Sequence, residues 1–139
     1  MRKAIPIAMT CLYLAAGCSN ASNDALAIVT NAPRYSWVSV GTPAAASQAE
    51  SVLRSQWKNG ASLDYLGRSF HNATPAGRAY ILCALSLARP AQFNELLEET
   101  KDLDKILVPT LKGDVASLVP LNGIIQQIKS NRCDGLQWK

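Results

Sequence analysis

Between Ala79 and Leu85 the chain runs Ala-Tyr-Ile-Leu-Cys-Ala-Leu without a charge, inside a segment with a clear start and stop. Thr74-Pro75 opens it. A threonine hydroxyl can take up a free backbone N–H, and proline in the first helical turn loses no hydrogen bond. Arg89-Pro90 closes it, because proline cannot continue a helix begun before it. Polar residues are few and gather near the ends, at Arg78 and Arg89. A helix that is apolar all round is buried on most sides. The rest of the chain is therefore expected to pack as a shell around this helix.

The elements that build the shell follow from local signals. Ala25 to Thr30 (ALAIVT) is β-like, and Tyr35 to Val40 (YSWVSV) alternates. Together they predict a small hairpin around the turn-like Asn31 to Arg34. Thr42-Pro43 opens a first helix with Ala49, Val52, Leu53 and Trp57 on one face. Gly60 is expected to stop it, and Ser62 to cap a short second helix with Leu63, Leu66 and Phe70 inward. Pro90 starts a helix to about Thr100, with Phe93, Leu96 and Leu97 inward and Glu95, Glu98 and Glu99 outward. Ile106-Leu107-Val108 is a short β-like run before Pro109, and Val115 to Val119 pairs back after Lys112-Gly113-Asp114. Pro120 opens the last helix, where Leu121, Ile124, Ile125 and Ile128 form an i, i+3, i+4, i+7 stripe. The expected fold is mostly α: a single compact domain of about five helices with a minor β-hairpin element. Thr42-Pro43 and Thr74-Pro75 stand 32 residues apart, which fits either a helical-repeat period or shared capping chemistry.

The N-terminus reads as an address. Met1-Arg2-Lys3 is a short positive start, and Ala4 to Ala16 (AIPIAMTCLYLAA) is apolar and uncharged. That run is shorter than the roughly 20 residues a spanning helix needs, and has the order of a secretory signal. Small residues lead directly into Cys18. The stretch Ala15-Ala16-Gly17-Cys18 resembles the lipobox of bacterial lipoproteins, with Leu14 one place further out than the family's usual leucine. The resemblance implies residues 1–17 as a signal peptide, Cys18 as the lipidated first residue of the mature protein, and the membrane as a partner through that covalent lipid. Several acyl chains together make a lasting anchor where one is marginal. In that family's sorting rule Asp after the cysteine retains a protein in the inner membrane. Ser19 therefore implies the outer membrane, with the domain facing the periplasm. Residues 18–24 are then a small polar tether and 25–139 a mostly helical periplasmic domain. The stretch Ala73 to Leu87 also resembles uncharacterised bacterial exported proteins, which implies no activity.

Removing the first 17 of 139 residues leaves 122, enough for one core. Of 14 basic side chains, Arg2 and Lys3 leave with the signal, so 12 stand against 10 acidic ones. No basic face for nucleic acid follows from that balance. Of the four cysteines, Cys11 leaves with the signal and Cys18 takes lipid. Cys83 and Cys133 remain. They either form a disulfide, which an oxidising compartment permits and favours, or Cys83 is a buried free thiol. Two cysteines so far apart, with a single histidine, do not make a zinc set, so no metal or other cofactor is expected.

Catalytic signals are sparse. His71 is the only histidine, and Ser69 and Asp64 lie near it in sequence. A triad can be drawn, but no G-x-S-x-G elbow supports it, and a surface or capping role is the plainer reading. The acidic stretch Glu95, Glu98, Glu99, Asp102 and Asp104 lacks the spacing of a calcium loop and reads as a solvated face. Trp37, Tyr35 and Trp138 are candidates for a binding surface or for core completion. The expectation is an envelope lipoprotein without catalytic residues that binds a protein partner as scaffold, chaperone, inhibitor or immunity factor. The alternative is a small envelope hydrolase acting on cell wall or lipid through His71.

Overall fold

The computed structural model describes residues 23–36, 47–56, 58–112, 114–130 and 133. Cys18, Ser19, Trp37, Thr42, Pro43, Trp57 and Trp138 lie outside them, as do residues 1–17, expected as a signal peptide, and the Thr42-Pro43 opening of the suggested repeat. The described residues form six helices and one two-stranded antiparallel hairpin. These are α1 (23–30), α2 (Gln48–Gln56), α3 (Gly60–Ser69), α4 (Pro75–Ala88), α5 (Pro90–Glu99), β1 (Leu107–Lys112), β2 (Val115–Pro120) and α6 (Leu121–Lys129), with a turn of 3-10 helix at Phe70–Asn72. The architecture is mostly α, as expected.

The apolar segment is the central helix. In α4, Ala79 to Leu85 are all buried, and the helix packs against α2, α3, α5, α6 and β1. Each fully buried Leu or Ile of this kind contributes about 1.5–3 kcal/mol. The cap forms as the sequence implies: Gly77 N–H donates to Thr74 Oγ1 at 3.0 Å, with Pro75 in the first turn. Thr74 does more than cap. Its hydroxyl donates to Ala32 O at 2.6 Å and its N–H to Thr30 O at 2.9 Å. The end of α1 is thereby clamped to the start of α4. Glycine is required there, since a Cβ on Gly77 meets Thr30 O at 2.5 Å and Val29 O at 2.8 Å. Both are backbone atoms that cannot rotate away.

Several expectations are corrected. Ala25 to Thr30 is helical, and so are Asn23 and Asp24, which had been assigned to the tether. The β-branched run Ile28-Val29-Thr30 favours a strand locally. Burial of Leu26 and Val29, one helical turn apart, overrides it, leaving Ile28 40% exposed. Tyr35 accordingly has no hairpin partner in that segment. It joins β1 instead, donating N–H to Pro109 O at 2.8 Å and accepting from Leu111 N at 3.1 Å.

Gly60 starts α3 and does not stop α2. Asn59 is the cap, its Oδ1 accepting from Ala61 N at 3.0 Å and Ser62 N at 3.2 Å. Asn-Gly can end one helix or begin the next, and here it begins one. Ser62 is buried, its hydroxyl donating to Gln56 Oε1 at 3.1 Å.

β1 also runs through Pro109 to Lys112. The reason lies in the ladder. Pro109 O and Leu111 N point to Tyr35, so the backbone groups of 109 and 111 face away from β2. The pairs that exchange ladder bonds are Val108 with Val119, Thr110 with Ser117 and Lys112 with Val115. The bond from Leu121 N to Ile106 O continues the same alternation. Proline at 109 therefore removes no β1–β2 hydrogen bond.

The last helix forms as the stripe predicts. Leu121, Ile124, Ile125 and Ile128 are all buried, against α4. Just beyond it Cys133 meets Cys83 of α4, the sulfurs at disulfide distance and the Cα atoms 5.9 Å apart, within the usual bridging range.

Candidate functional site

His71 sits on the 3-10 turn, its side chain 56% exposed, with Nε2 3.8 Å from Glu99 Oε2 of α5. An exposed pair at that distance holds little energy. Its carbonyl accepts from Arg78 Nη2 at 2.7 Å, while the Arg78 guanidinium lies 5.6 Å over the Phe70 ring. Asp64 is engaged elsewhere, in an ion pair with Arg89, whose Nη2 also donates to Gly60 O at 3.2 Å. The hydrogen bond from Arg89 holds the Asp64 carboxyl below the usual range. Among the described residues no hydrogen bond joins His71 to Ser69 or Asp64, so the triad drawn from sequence proximity is not assembled there.

The acidic stretch is divided among small separate contacts. Glu99 faces His71, Asp102 lies 3.5 Å from Lys105, and Asp104 Oδ1 accepts from Asn122 Nδ2 at 2.9 Å. Among the described residues no group of three or more His, Cys, Asp or Glu is gathered to hold a metal ion.

A half-buried polar chain, invisible in the sequence, lies beside the core. The Tyr80 hydroxyl donates to Ser36 O at 2.8 Å and accepts from Ser36 N at 2.9 Å. Ser47 Oγ is 2.8 Å away, and it accepts from Glu50 N at 3.1 Å. A phenol has one proton and two lone pairs. With the proton on Ser36 O, Ser47 must be the donor to Tyr80. The chain therefore runs from Glu50 N–H through Ser47 and Tyr80 to Ser36 O, with each hydroxyl of Ser47 and Tyr80 donating once. Glu50 itself is fully buried on α2, with Arg54 Nη2 2.7 Å from Oε1.

Tyr35 stacks on Tyr80 at 4.9 Å and 55°, and its hydroxyl lies 3.7 Å from Cys83 Sγ. Of the two readings open for Tyr35, binding surface or core completion, the second holds: it is 9% exposed. Burial pushes the Tyr35 phenol far up, with Tyr80 and Glu50 adding to it. Burial also raises Tyr80, against the hydrogen bonds of Ser47 and Ser36. Both phenols stay neutral near neutral pH. The arrangement locks segment 35–36, α2 and α4 together and offers no activated nucleophile.

Two surface features remain. A groove of about 250 Å³ lies between α4, α5 and α6, lined by Leu87, Pro90, Phe93, Ile128 and Cys133 among others. The hairpin presents the second. Its inner face sends Val108 into the core. Its outer face consists of Leu107, Pro109, Leu111, Ala116, Leu118 and Pro120, six apolar side chains with no polar one among them. Leu107 is 47% and Leu118 62% exposed, and Val115 at the end of the inner face is 67% exposed. The β-like runs at 106–108 and 115–119 predict the pairing but not which face is covered, so sequence reading missed this surface.

The chain matches no family model, no curated protein and no solved structure. Among the described residues no helix is long and apolar enough to cross a membrane.

Proposed function

We propose that this chain is a lipid-anchored protein of the cell envelope, held in the outer membrane by acyl groups on Cys18 and facing the periplasm, where its domain binds a protein partner. The observation that carries the binding role is the exposed, wholly apolar outer face of the hairpin. Single exposed hydrophobes are ordinary, whereas a contiguous apolar face marks an interaction surface. The approach of Cys83 to Cys133 supports export, since disulfides persist in oxidising compartments. The hydrolase alternative draws no support from the surroundings of His71, where Asp64 belongs to Arg89 and the imidazole faces Glu99.

Membrane fractionation tests the location. The wild type is expected in the outer-membrane fraction, and Ser19→Asp is expected to shift it to the inner membrane. Wild-type protein banding with inner-membrane markers contradicts the sorting argument.

A further inference from the structure

The hairpin has two long edges, and they differ. The outer edge of β1 is closed by Tyr35, whose backbone bonds Pro109 O and Leu111 N. The outer edge of β2 has no partner among the described residues, and Val115 to Leu118 are all exposed. The ladder alternation turns the backbone groups of Val115, Ser117 and Val119 toward β1. Those of Ala116 and Leu118 therefore point outward, leaving two N–H donors and two C=O acceptors on the open edge. Pro120 also faces outward, but brings no N–H. Natural edge strands are usually protected by a charge, a proline, a bulge or extreme shortness, and the proline of β2, Pro120, stands only at its end. From Val115 to Pro120 the chain is Val-Ala-Ser-Leu-Val-Pro, with no charge, and its pairing with β1 is continuous with no bulge.

We propose that β2 pairs edge to edge with β2 of a second copy of this chain, antiparallel about a two-fold axis at Ser117. This rests on the reading of the hairpin as a protein-binding surface and names the partner. In that register Ala116 of each copy lies opposite Leu118 of the other. All four outward donors and acceptors are then used, in four hydrogen bonds. Centring the axis on Leu118 instead sets Ala116 against Pro120 and loses a donor, so Pro120 selects against that register. Charge is compatible as well. A two-fold axis brings each residue near its own copy, where like charges repel. The strand carries none, and Asp114 falls opposite Pro120. The two outer hairpin faces become one continuous four-stranded apolar face.

The interface is small. Two six-residue strands cover roughly 20 by 10 Å, well below the ~800 Å² per partner of a standard stable interface. Such a pair is weak between free chains. Lipid anchoring of both copies to one surface supplies the effective concentration that it needs.

The test uses the full chain carrying Ser117→Cys. Opposed residues of a non-hydrogen-bonded antiparallel pair stand about 4.5 Å apart at Cα, within disulfide reach. Mild oxidation of membranes from producing cells, and of the purified full chain at about millimolar concentration, should give a covalent dimer of twice the chain mass. Lys112→Cys, on the far strand of each hairpin, should give none. Adding Leu118→Lys should lower the dimer yield at least tenfold without lowering the melting temperature. Absence of a Ser117→Cys dimer in both preparations overturns the proposal. A cross-link to a different protein also overturns it, while leaving the partner-binding reading in place. Absence of the chain from the membrane fraction contradicts the anchoring reading alone, because the concentrated purified chain must still dimerise.

Discussion

Breaking the Cys83–Cys133 link is expected to destabilise the domain by about 4 kcal/mol, the chain-entropy value for a loop of about 50 residues. The separation is 50 residues, and the loop holds the C-terminal end of α4 from Cys83, all of α5, the hairpin and α6. That amount is a large part of the roughly 5–15 kcal/mol by which a domain of ordinary stability is folded. Cys133→Ala is the cleaner variant. It leaves Cys83 as a buried thiol beside the Tyr35 hydroxyl, where a small hydrophobe with a weak S–H is tolerated. Denaturant midpoints with and without reductant measure the effect. Hydrogen exchange should show α6 loosening first, since Cys133 ties the end of that helix to α4. Linked Cys83 and Cys133 peptides are expected in a non-reduced digest. Two alkylatable thiols in the native protein contradict the bridge.

Tyr80→Ala is expected to cost at least as much. Removing a buried aromatic ring from a close-packed site costs about 3–5 kcal/mol. Tyr80 is fully buried, and its ring also supports Tyr35. The variant in addition leaves Ser36 N–H, Ser36 C=O and the Ser47 hydroxyl without their shared partner. Tyr80→Phe separates the two effects. It keeps the ring and deletes the hydroxyl, for an expected loss of about 1–3 kcal/mol from stranded polar groups. Equilibrium unfolding measures both. A Phe variant within about 0.5 kcal/mol of wild type, the lower end of a single hydrogen bond's net value, means that the half-buried chain of hydroxyls contributes nothing net.

Much of the fold was legible because the strongest signals were redundant. In α4 the apolar run, the Thr74-Pro75 opening and the Arg89-Pro90 close agree with one another, and the helix forms within those limits. The stripe of α6 is likewise both periodic and buried. Where one local signal stood alone, tertiary packing decided. Ile28-Val29-Thr30 has strand propensity, yet Leu26 and Val29 are buried on a helix clamped by Thr74. Pro109 looked like a stop because a sequence does not tell which side of a strand its missing N–H faces.

The polar interior was hidden for a similar reason. Glu50 and Arg54 are spaced i, i+4, which usually means a solvated salt bridge. In the fold α2 packs on α4, and Glu50 is fully buried. Ser47 and Tyr80 meet across 33 residues of sequence. His71 was legible as a lone histidine, and its structural neighbours, Arg78 and Glu99, give it contacts without a nucleophile. The outer hairpin face was not legible at all, since two β-like runs around a turn predict a pairing and not which face the core takes.

The central claim is that this chain is processed and acylated at Cys18. Metabolic acyl labelling and mass analysis of the mature N-terminus test it directly, in wild type and Cys18→Ser, with and without globomycin, an inhibitor of the lipoprotein signal peptidase. The account predicts labelled wild-type protein beginning at Cys18, a larger precursor under globomycin, and no acyl label on the Ser variant. Unlabelled wild-type protein, together with normal processing of Cys18→Ser, contradicts it.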